Sequence, residues 1–152
     1  MRQVTLCLLL KDNQVLLAMK KRGFGVGFWN GVGGKVTEGE TIEQAAIRET
    51  QEEIGVTPLS LNKVIAVDFT FPTKPEWTQT MHVFIVDKWE GDPSESEEMA
   101  PQWFDIKKIP LDKMWESDIA WMPQVLAGKK VKASFVYDEN QKLQESEVEE
   151  IM

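Results

Sequence analysis

The stretch from residue 34 to residue 56 constrains the fold more than any other part of the chain. Thr41 is followed three positions later by Gln44, a capping box in which each side chain can bond the other residue's backbone amide. A helix is therefore predicted to begin after Thr41. Gly55 can adopt a positive φ and is predicted to end that helix. The stretch predicts a loop, a helix and a stop.

Three glutamates share one face of this predicted helix. Glu49, Glu52 and Glu53 fall within about 100° of one another at helical spacing. Like charges three or four positions apart destabilise an isolated helix by about 0.2–0.5 kcal/mol per pair, so a positive partner is expected. Mg²⁺ commonly binds one or two carboxylates together with substrate phosphates. The face indicates metal-phosphate chemistry, and the alternative is a solvated acidic surface.

Length and charge exclude several classes of protein. The chain has 152 residues, with 25 acidic side chains against 17 basic ones. This length suits one domain over residues 1–152. The acidic balance argues against binding to a nucleic acid polymer or an anionic membrane, because both require clustered cations. Cys7 is the single cysteine, which favours a reducing compartment such as the cytoplasm. No apolar run is long enough to span a membrane.

Apolar runs predict the remaining elements. Strands are expected at residues 4–10, 15–19, 63–71, 81–86 and 103–106, with a closing hairpin of residues 130–137 and 142–151. A second helix is expected within residues 111–129, and Pro123 is expected to limit where its regular part starts. His82 lies in the middle of a strand and is interpreted as a structural residue.

Residues 20–35 combine cations, glycines and aromatic side chains. Glycine lets the backbone approach a ligand closely. The candidate counter-charges for a polyphosphate are Lys20, Lys21, Arg22 and Lys35. Phe24 and Trp29 could either fill the core or stack on a base, and Asn30 could donate and accept along a base edge.

The stretch that opens this section also resembles a known family. The arrangement Gly-x5-Glu-x7-Arg-Glu-x2-Glu-Glu-x-Gly-Val is met by Gly34, Glu40, Arg48, Glu49, Glu52, Glu53, Gly55 and Val56. It resembles the signature of the Nudix hydrolases. Nearly the whole chain is similar to their MutT-homologue oxidised purine nucleoside triphosphatases, through residues 19–25, 29–31, 33–36, 81–84, 97–99, 114–115, 118 and 121. The resemblance implies the Nudix fold, an α/β/α sandwich around a mixed β-sheet.

The resemblance also implies an activity and a site. A monomer would hydrolyse oxidised or otherwise modified purine nucleoside triphosphates, such as 8-oxo-dGTP and 2-hydroxy-dATP, to a monophosphate and pyrophosphate. The cofactor would be Mg²⁺, with Mn²⁺ as a substitute. The implied metal ligands are the carbonyl of Gly33 and the carboxylates of Glu49, Glu52, Glu53 and Glu98. The implied catalytic residues are Arg48, Glu49, Glu52 and Glu53, and which glutamate is the base stays open. The implied substrate-binding residues are Thr5, Lys20, Phe24, Asn30, Val32, Gly33, Gly34, Lys35, Phe69, Trp115, Glu116, Ser117 and Asp118.

Two residues depart from the family pattern. The family places two adjacent acids after a Trp-x pair, and this chain has Ser117 and Asp118 there. A hydroxyl cannot serve as a charged acceptor for two base N–H groups, so discrimination for an oxidised guanine is expected to fall by about tenfold to a hundredfold. Thr50 replaces a bulky aliphatic residue, which is expected to affect stability more than activity. The alternatives are a Nudix pyrophosphatase for another nucleoside diphosphate derivative and a non-catalytic nucleotide-binding module.

Overall fold

The computed structural model describes residues 2–23, 25–140 and 142–151. Its strands are β1 (Arg2–Lys11), β2 (Gln14–Lys20), β3 (Trp29–Asn30), β4 (Thr57–Pro58), β5 (Asn62–Thr70), β6 (Gln79–Val86), β7 (Trp89–Glu90), β8 (Met99–Asp105), β9 (Val131–Tyr137) and β10 (Leu143–Glu150). Its helices are α1 (Ile42–Ile54) and α2 (Glu116–Leu126). The predicted strands and both predicted helices are confirmed, although β8 begins at Met99, four residues before the expected start at residue 103.

The main sheet is mixed. Its order is β10-β9-β5-β6-β1-β2, with β3 and β8 both paired to β2, while β4 and β7 form a separate pair. β1 runs parallel to β6, β5 runs parallel to β9, and the other pairs are antiparallel. The start of β1 therefore lies beside the start of β6, the end of β5 and the end of β9. Side chains from all four strands can meet at this edge of the sheet.

Two apolar clusters lie on opposite faces of the sheet, because successive side chains of a strand point to opposite faces. Leu6 and Leu8 of β1 belong to the α2-side core, which also holds Trp121 and Met122 of α2. Cys7 and Leu9 belong to the α1-side core, which also holds Ala46 and Ile54 of α1. One helix covers each face, which confirms the predicted α/β/α sandwich.

The ends of α1 are those that its sequence predicts. The Gln44 amide donates to Thr41 Oγ1 at 3.1 Å, and the Thr41 amide donates to Gln44 Oε1 at 2.8 Å. Gly55 ends the helix with a φ of +71°. Thr50 is buried, and its hydroxyl donates to the Ala46 carbonyl at 2.7 Å, so this polar group is satisfied within its own helix.

The prediction that Pro123 limits the start of the second helix is wrong. α2 begins at Glu116 and continues through Pro123 to Leu126. A proline inside a helix costs about 3 kcal/mol, because it removes one backbone hydrogen bond and crowds the preceding turn. Trp121 and Met122 are fully buried and Val125 nearly so, and their packing against the sheet offsets that cost.

Trp29 and His82 both have structural surroundings. Trp29 packs edge-on against Phe104, with ring centroids 4.9 Å apart, so it fills the α2-side core. His82 is 8% exposed, and its Nε2 lies 2.6 Å from Gln3 Oε1. Across the described ranges, neither helix has the length and apolar character needed to cross a membrane.

Candidate active site

A cavity of about 270 Å³ opens at the edge of the sheet where β1, β5, β6 and β9 meet. The glycine-rich segment forms one wall, and the start of α2 forms another. The cavity brings together many residues that the sequence predicts for the site, namely Thr5, Lys20, Asn30, Gly33, Gly34, Glu53, Phe69, Trp115, Ser117 and Asp118. Residues from five separate parts of the chain therefore contribute to one site.

Arg48 organises the carboxylates of α1. Its guanidinium donates to both carboxylate oxygens of Glu40, from Nε at 2.7 Å and from Nη2 at 3.0 Å. Its Nη1 donates to Glu49 at 2.9 Å and to Glu52 at 3.2 Å, and its Nη2 also reaches the Lys35 carbonyl at 3.0 Å. These hydrogen bonds hold the pKa of Glu40 at about 2 and raise the pKa of Arg48. One cation thus fixes two of the three predicted catalytic glutamates.

Gly33 and Gly34 let the loop approach its neighbours more closely than any other residue could. A Cβ on Gly33 would lie 1.8 Å from the carbonyl oxygen of Thr5. A Cβ on Gly34 would lie 2.5 Å from the Glu49 carboxyl carbon. The Thr5 amide also donates to the Gly34 carbonyl at 2.8 Å, which holds the loop along β1. The carboxylate of Glu49 therefore occupies the space that a side chain at position 34 would need.

Glu53 is a buried carboxyl at the end of the cavity that Gly33 and Gly34 line. Burial, followed by the negative charges of Glu49 and Glu98, raises the pKa of Glu53 to about 7, while a hydrogen bond from the Gly33 amide at 3.3 Å acts in the opposite direction. The carboxylate oxygens near Glu53 are of the kind that a hard divalent cation prefers, and such an ion would relieve their mutual repulsion. Their donor chemistry fits such an ion, although the described side chains are not gathered around one point.

The predicted metal ligands do not form one compact group. In residues 2–23, 25–140 and 142–151, no three carboxylate, histidine or cysteine side chains gather closely enough to hold a metal ion. Glu52 contacts Arg48, and Glu98 contacts Arg22 at 3.4 Å. Lys21 pairs with Glu95, which lies with Glu98 in the acidic segment of residues 90–98. Lys21 and Arg22 were expected to be polyphosphate counter-charges, and the structure instead pairs them with this segment.

The opposite end of the cavity is polar but deeply buried. Ser117 and Asp118 are each 2% exposed at the start of α2. Asp118 Oδ1 accepts a hydrogen bond from Trp121 Nε1 at 3.1 Å, whereas Oδ2 has no partner among the described residues. Burial raises the pKa of Asp118 to about 7. Tyr137 donates its phenolic proton to Ser117 Oγ at 2.9 Å.

Aromatic rings form the sides and floor of the cavity. Phe28 stacks on Trp115 with ring centroids 4.8 Å apart and an interplanar angle of 27°. Gly25 lies against the same indole ring, and a Cβ there would be 3.4 Å from it. Phe69 forms part of the floor and stacks on Phe135. The predicted wall residue Phe24 lies outside the described residues.

Three predicted substrate-binding residues do not line the cavity. Val32 is 2% exposed and its side chain lies in the α1-side core. The backbone carbonyl of Lys35 bonds Arg48, and Glu116 is exposed at the first turn of α2. Sequence reasoning had instead missed Tyr137 and Phe28. Strand pairing alone brings Tyr137 to the site, and its being the chain's one tyrosine was the only signal available.

The fold is a mixed sheet between two helices, and the helix whose glutamates bind Arg48 lies beside the cavity. This combination indicates a class of hydrolases. The chain matches the NUDIX domain over residues 1–125 and belongs to the Nudix family of hydrolases. Members of this family generally need a divalent metal.

Two curated relatives are similar over almost the whole chain. The oxidized purine nucleoside triphosphate hydrolase of Danio rerio is 47% identical over 148 residues, covering 97% of this chain and 94% of that one. The protein of the same description from Mus musculus is 48% identical over 138 residues, covering 91% and 88%. The crystal structure of the mutator MutT protein from Bacillus halodurans has a TM-score of 0.83 at 24% identity over 97% of each chain, which shows the shared fold.

Proposed function

We propose that this protein hydrolyses oxidised or otherwise modified purine nucleoside triphosphates to a nucleoside monophosphate and pyrophosphate, and so removes them from the nucleotide pool. The main support is the single cavity that joins a carboxylate end at Glu53 to a buried, hydrogen-bonding end at Ser117 and Asp118. Relatives similar over nearly the full length are named for this activity. The first candidate substrates are 8-oxo-dGTP and 2-hydroxy-dATP.

The proposed metal is Mg²⁺, with Mn²⁺ as a substitute. Its proposed ligands are the Gly33 carbonyl and the carboxylates of Glu49, Glu52, Glu53 and Glu98. Held by these residues, a divalent ion would neutralise phosphate oxygens and make an attacking water more acidic. One of Glu49, Glu52 and Glu53 then accepts the proton of the attacking water. Arg48 is proposed to hold Glu49 and Glu52 in place for this step, and its hydrogen bonds to both carboxylates support that role.

The remaining residues are proposed to bind the nucleotide. Lys20 and Gly34, beside the carboxylates, would contact the phosphates. The stacked rings of Phe28 and Trp115 would support the face of the base, and Asp118 would bind its edge. The other proposed contacts are Thr5, Asn30 and Phe69, which line the cavity, with Phe24, Lys35 and Glu116 as further candidates.

A single-domain monomer of the cytoplasm completes the proposal. The family match ends at residue 125, and β9 beyond it pairs in parallel with β5, so the final residues extend the same sheet. The substrate itself supports a cytoplasmic location, because nucleoside triphosphates occur there. The acidic net charge of −8 supports a small nucleotide, and not a nucleic acid polymer, as the partner.

The proposal is tested by Mg²⁺-dependent pyrophosphate release from a panel of 8-oxo-dGTP, 2-hydroxy-dATP, O6-methyl-dGTP and the four normal dNTPs. A marked preference in kcat/KM for a modified purine is expected. Glu53→Gln is expected to lower kcat by about 10²–10⁴-fold, because it removes a carboxylate from the site. Glu43→Gln, an exposed glutamate of the same helix, is the matched control. Flat activity over the panel, or a Glu53→Gln variant as active as the wild type, would contradict the proposal.

A further inference from the structure

Tyr137 is the feature of the cavity that neither the signature nor the proposed chemistry explains. It ends β9, and its ring stacks on Phe71 with centroids 5.2 Å apart and an interplanar angle of 11°. Its hydroxyl donates to Ser117 Oγ at 2.9 Å. Tyr137 is 7% exposed and Ser117 is 2% exposed, so water does not compete for this hydrogen bond.

The direction of this hydrogen bond follows from the acidity of the two hydroxyls. A phenol is more acidic than an aliphatic hydroxyl and is therefore the better donor. Ser117 Oγ therefore accepts from Tyr137. Its own proton has no acceptor within the described part of the chain, and the cavity lies in front of it.

The groups beside Ser117 have a defined hydrogen-bonding character. Asn30 Oδ1 accepts from the Gly31 amide at 2.8 Å, so Asn30 presents its NH₂ group as a donor. The second oxygen of Asp118 has no partner among the described residues and is an acceptor when the carboxyl is ionised. The buried end thus offers one carboxylate acceptor directly beside a hydroxyl donor. A hydroxyl that already accepts one hydrogen bond is a stronger donor, because hydrogen bonds in a chain polarise one another.

The Watson–Crick edge of a purine is the edge that reaches this end. Glu53 belongs to α1 and Asp118 to α2, and these two helices cover opposite faces of the sheet. The two carboxyls therefore lie at separate ends of the cavity. With the triphosphate beside Glu53, the glycosidic nitrogen faces that end, and the ring atoms opposite it lie nearest Ser117 and Asp118.

We propose that Tyr137 is a positioning residue that turns Ser117 into a hydrogen-bond donor, so that the cavity prefers oxidised purines of the adenine type. The edge of such a base carries an amino donor beside an unprotonated ring nitrogen, which matches one acceptor beside one donor. Held in the same orientation, an oxidised guanine places its O6 acceptor against the carboxylate and its N1–H donor against the hydroxyl that is already donating, so neither group is matched. This proposal rests on the proposed function and names the base that the same site prefers.

The test compares 8-oxo-dATP with 8-oxo-dGTP, because both carry the oxidative mark and they differ at the Watson–Crick edge. Pyrophosphate release with Mg²⁺ is measured at a pH well above 7, so that Asp118 is ionised in every variant. The wild type is expected to favour 8-oxo-dATP in kcat/KM by about tenfold. The difference is expected in KM more than in kcat, because the base edge is remote from the reacting phosphates.

Two variants change this ratio by different routes. Tyr137→Phe frees Ser117 Oγ to accept from a base N–H, so it is expected to raise kcat/KM for 8-oxo-dGTP by about fivefold to tenfold. Ser117→Ala removes the donor, so it is expected to lower kcat/KM for 8-oxo-dATP by a similar factor while kcat/KM for 8-oxo-dGTP changes little. A purely structural role for Tyr137 would lower both substrates together. Ser134→Ala is the control. Ser134 precedes Phe135 and its side chain lies on the opposite face of β9, so this substitution should leave kcat/KM for both substrates unchanged.

The outcomes separate the two proposals. If the wild type favours 8-oxo-dGTP, or if Tyr137→Phe leaves the ratio of the two substrates unchanged, the role of Tyr137 is overturned while the hydrolase function stands. If the wild type releases no pyrophosphate from either compound, both proposals are overturned. If Tyr137→Phe shifts the ratio of kcat/KM for the two substrates while its thermal unfolding stays that of the wild type, the positioning role is supported.

Discussion

At the scale of single residues, the position of the Glu49 carboxylate depends on how closely the Gly34 backbone can approach it. Glu49 lies against the backbone of Gly34, and Arg48 binds the same carboxylate from the other side. The carboxylate is held between a loop without side chains and a guanidinium. Its position is therefore set by the absence of one methyl group as much as by the ion pair.

Gly34→Ala is expected to displace the Glu49 carboxylate and lower kcat by about a hundredfold, because misplacement of a catalytic group by about 1 Å has effects of that size. The measurement is pyrophosphate release by Gly34→Ala, Glu49→Gln and the double variant. If position 34 acts through Glu49, adding Gly34→Ala to Glu49→Gln changes kcat little. Additive losses would show that the loop affects activity by another route.

At the scale of elements, α1 combines a locally encoded helix with a site that depends on distant partners. The Thr41 and Gln44 cap and the Gly55 stop are contacts within a few residues, so the sequence predicts them correctly. The same short range explains the error at Pro123. Local propensity forbids a proline there, and only the burial of Trp121 and Met122 against a distant sheet reverses that preference.

Thr41→Ala is expected to lower the free energy of unfolding by about 1 kcal/mol, because it leaves the Gln44 amide without its capping oxygen. Urea denaturation followed by circular dichroism measures this change. Thr73→Ala, an exposed threonine in a turn, is the matched control and should change it by less than about 0.5 kcal/mol. Equal effects of the two substitutions would mean that the cap contributes no stability.

At the scale of the whole molecule, the unfolding equilibrium is linked to protons through the cavity. Asp118 has a pKa of about 7 in the folded protein, against 3.8 for an unperturbed aspartate. The folded chain therefore keeps a proton that the unfolded chain releases between these two values. This stabilises the folded state below about pH 4, and the contribution is lost as the pH rises toward 7.

Asp118→Asn is expected to flatten the pH dependence of stability. The free energy of unfolding of the wild type should fall by up to about 1.4 kcal/mol per pH unit more steeply than that of the variant in this range. Urea denaturation of both proteins at several pH values gives the two slopes. The raised pKa of Glu53 contributes to the slope of both proteins, so the difference between the two slopes gives the contribution of Asp118 alone. Parallel slopes would contradict the assignment.

The sequence predicts the fold and the reacting end of the site better than the base-binding end. The glutamates of α1 stand at fixed helical spacing, so their shared face is visible without a structure. The contact between Tyr137 and Ser117 depends on β9 pairing beside β5 and on α2 covering that edge, and strand order is not written in any local pattern. The pairing of Lys21 with Glu95 was missed for the same reason.

Leu6, Phe69, Met81 and Tyr137 line the cavity and also belong to the α2-side core. Truncating a buried phenylalanine costs about 3–5 kcal/mol, a large share of the roughly 5–15 kcal/mol by which a domain is stable. Evolution of this chain toward a new base would therefore be confined mostly to polar positions of the cavity such as Asn30 and Ser117. Related proteins that accept other damaged nucleotides should share the apolar residues of the cavity floor and differ at the few residues that hydrogen-bond the base.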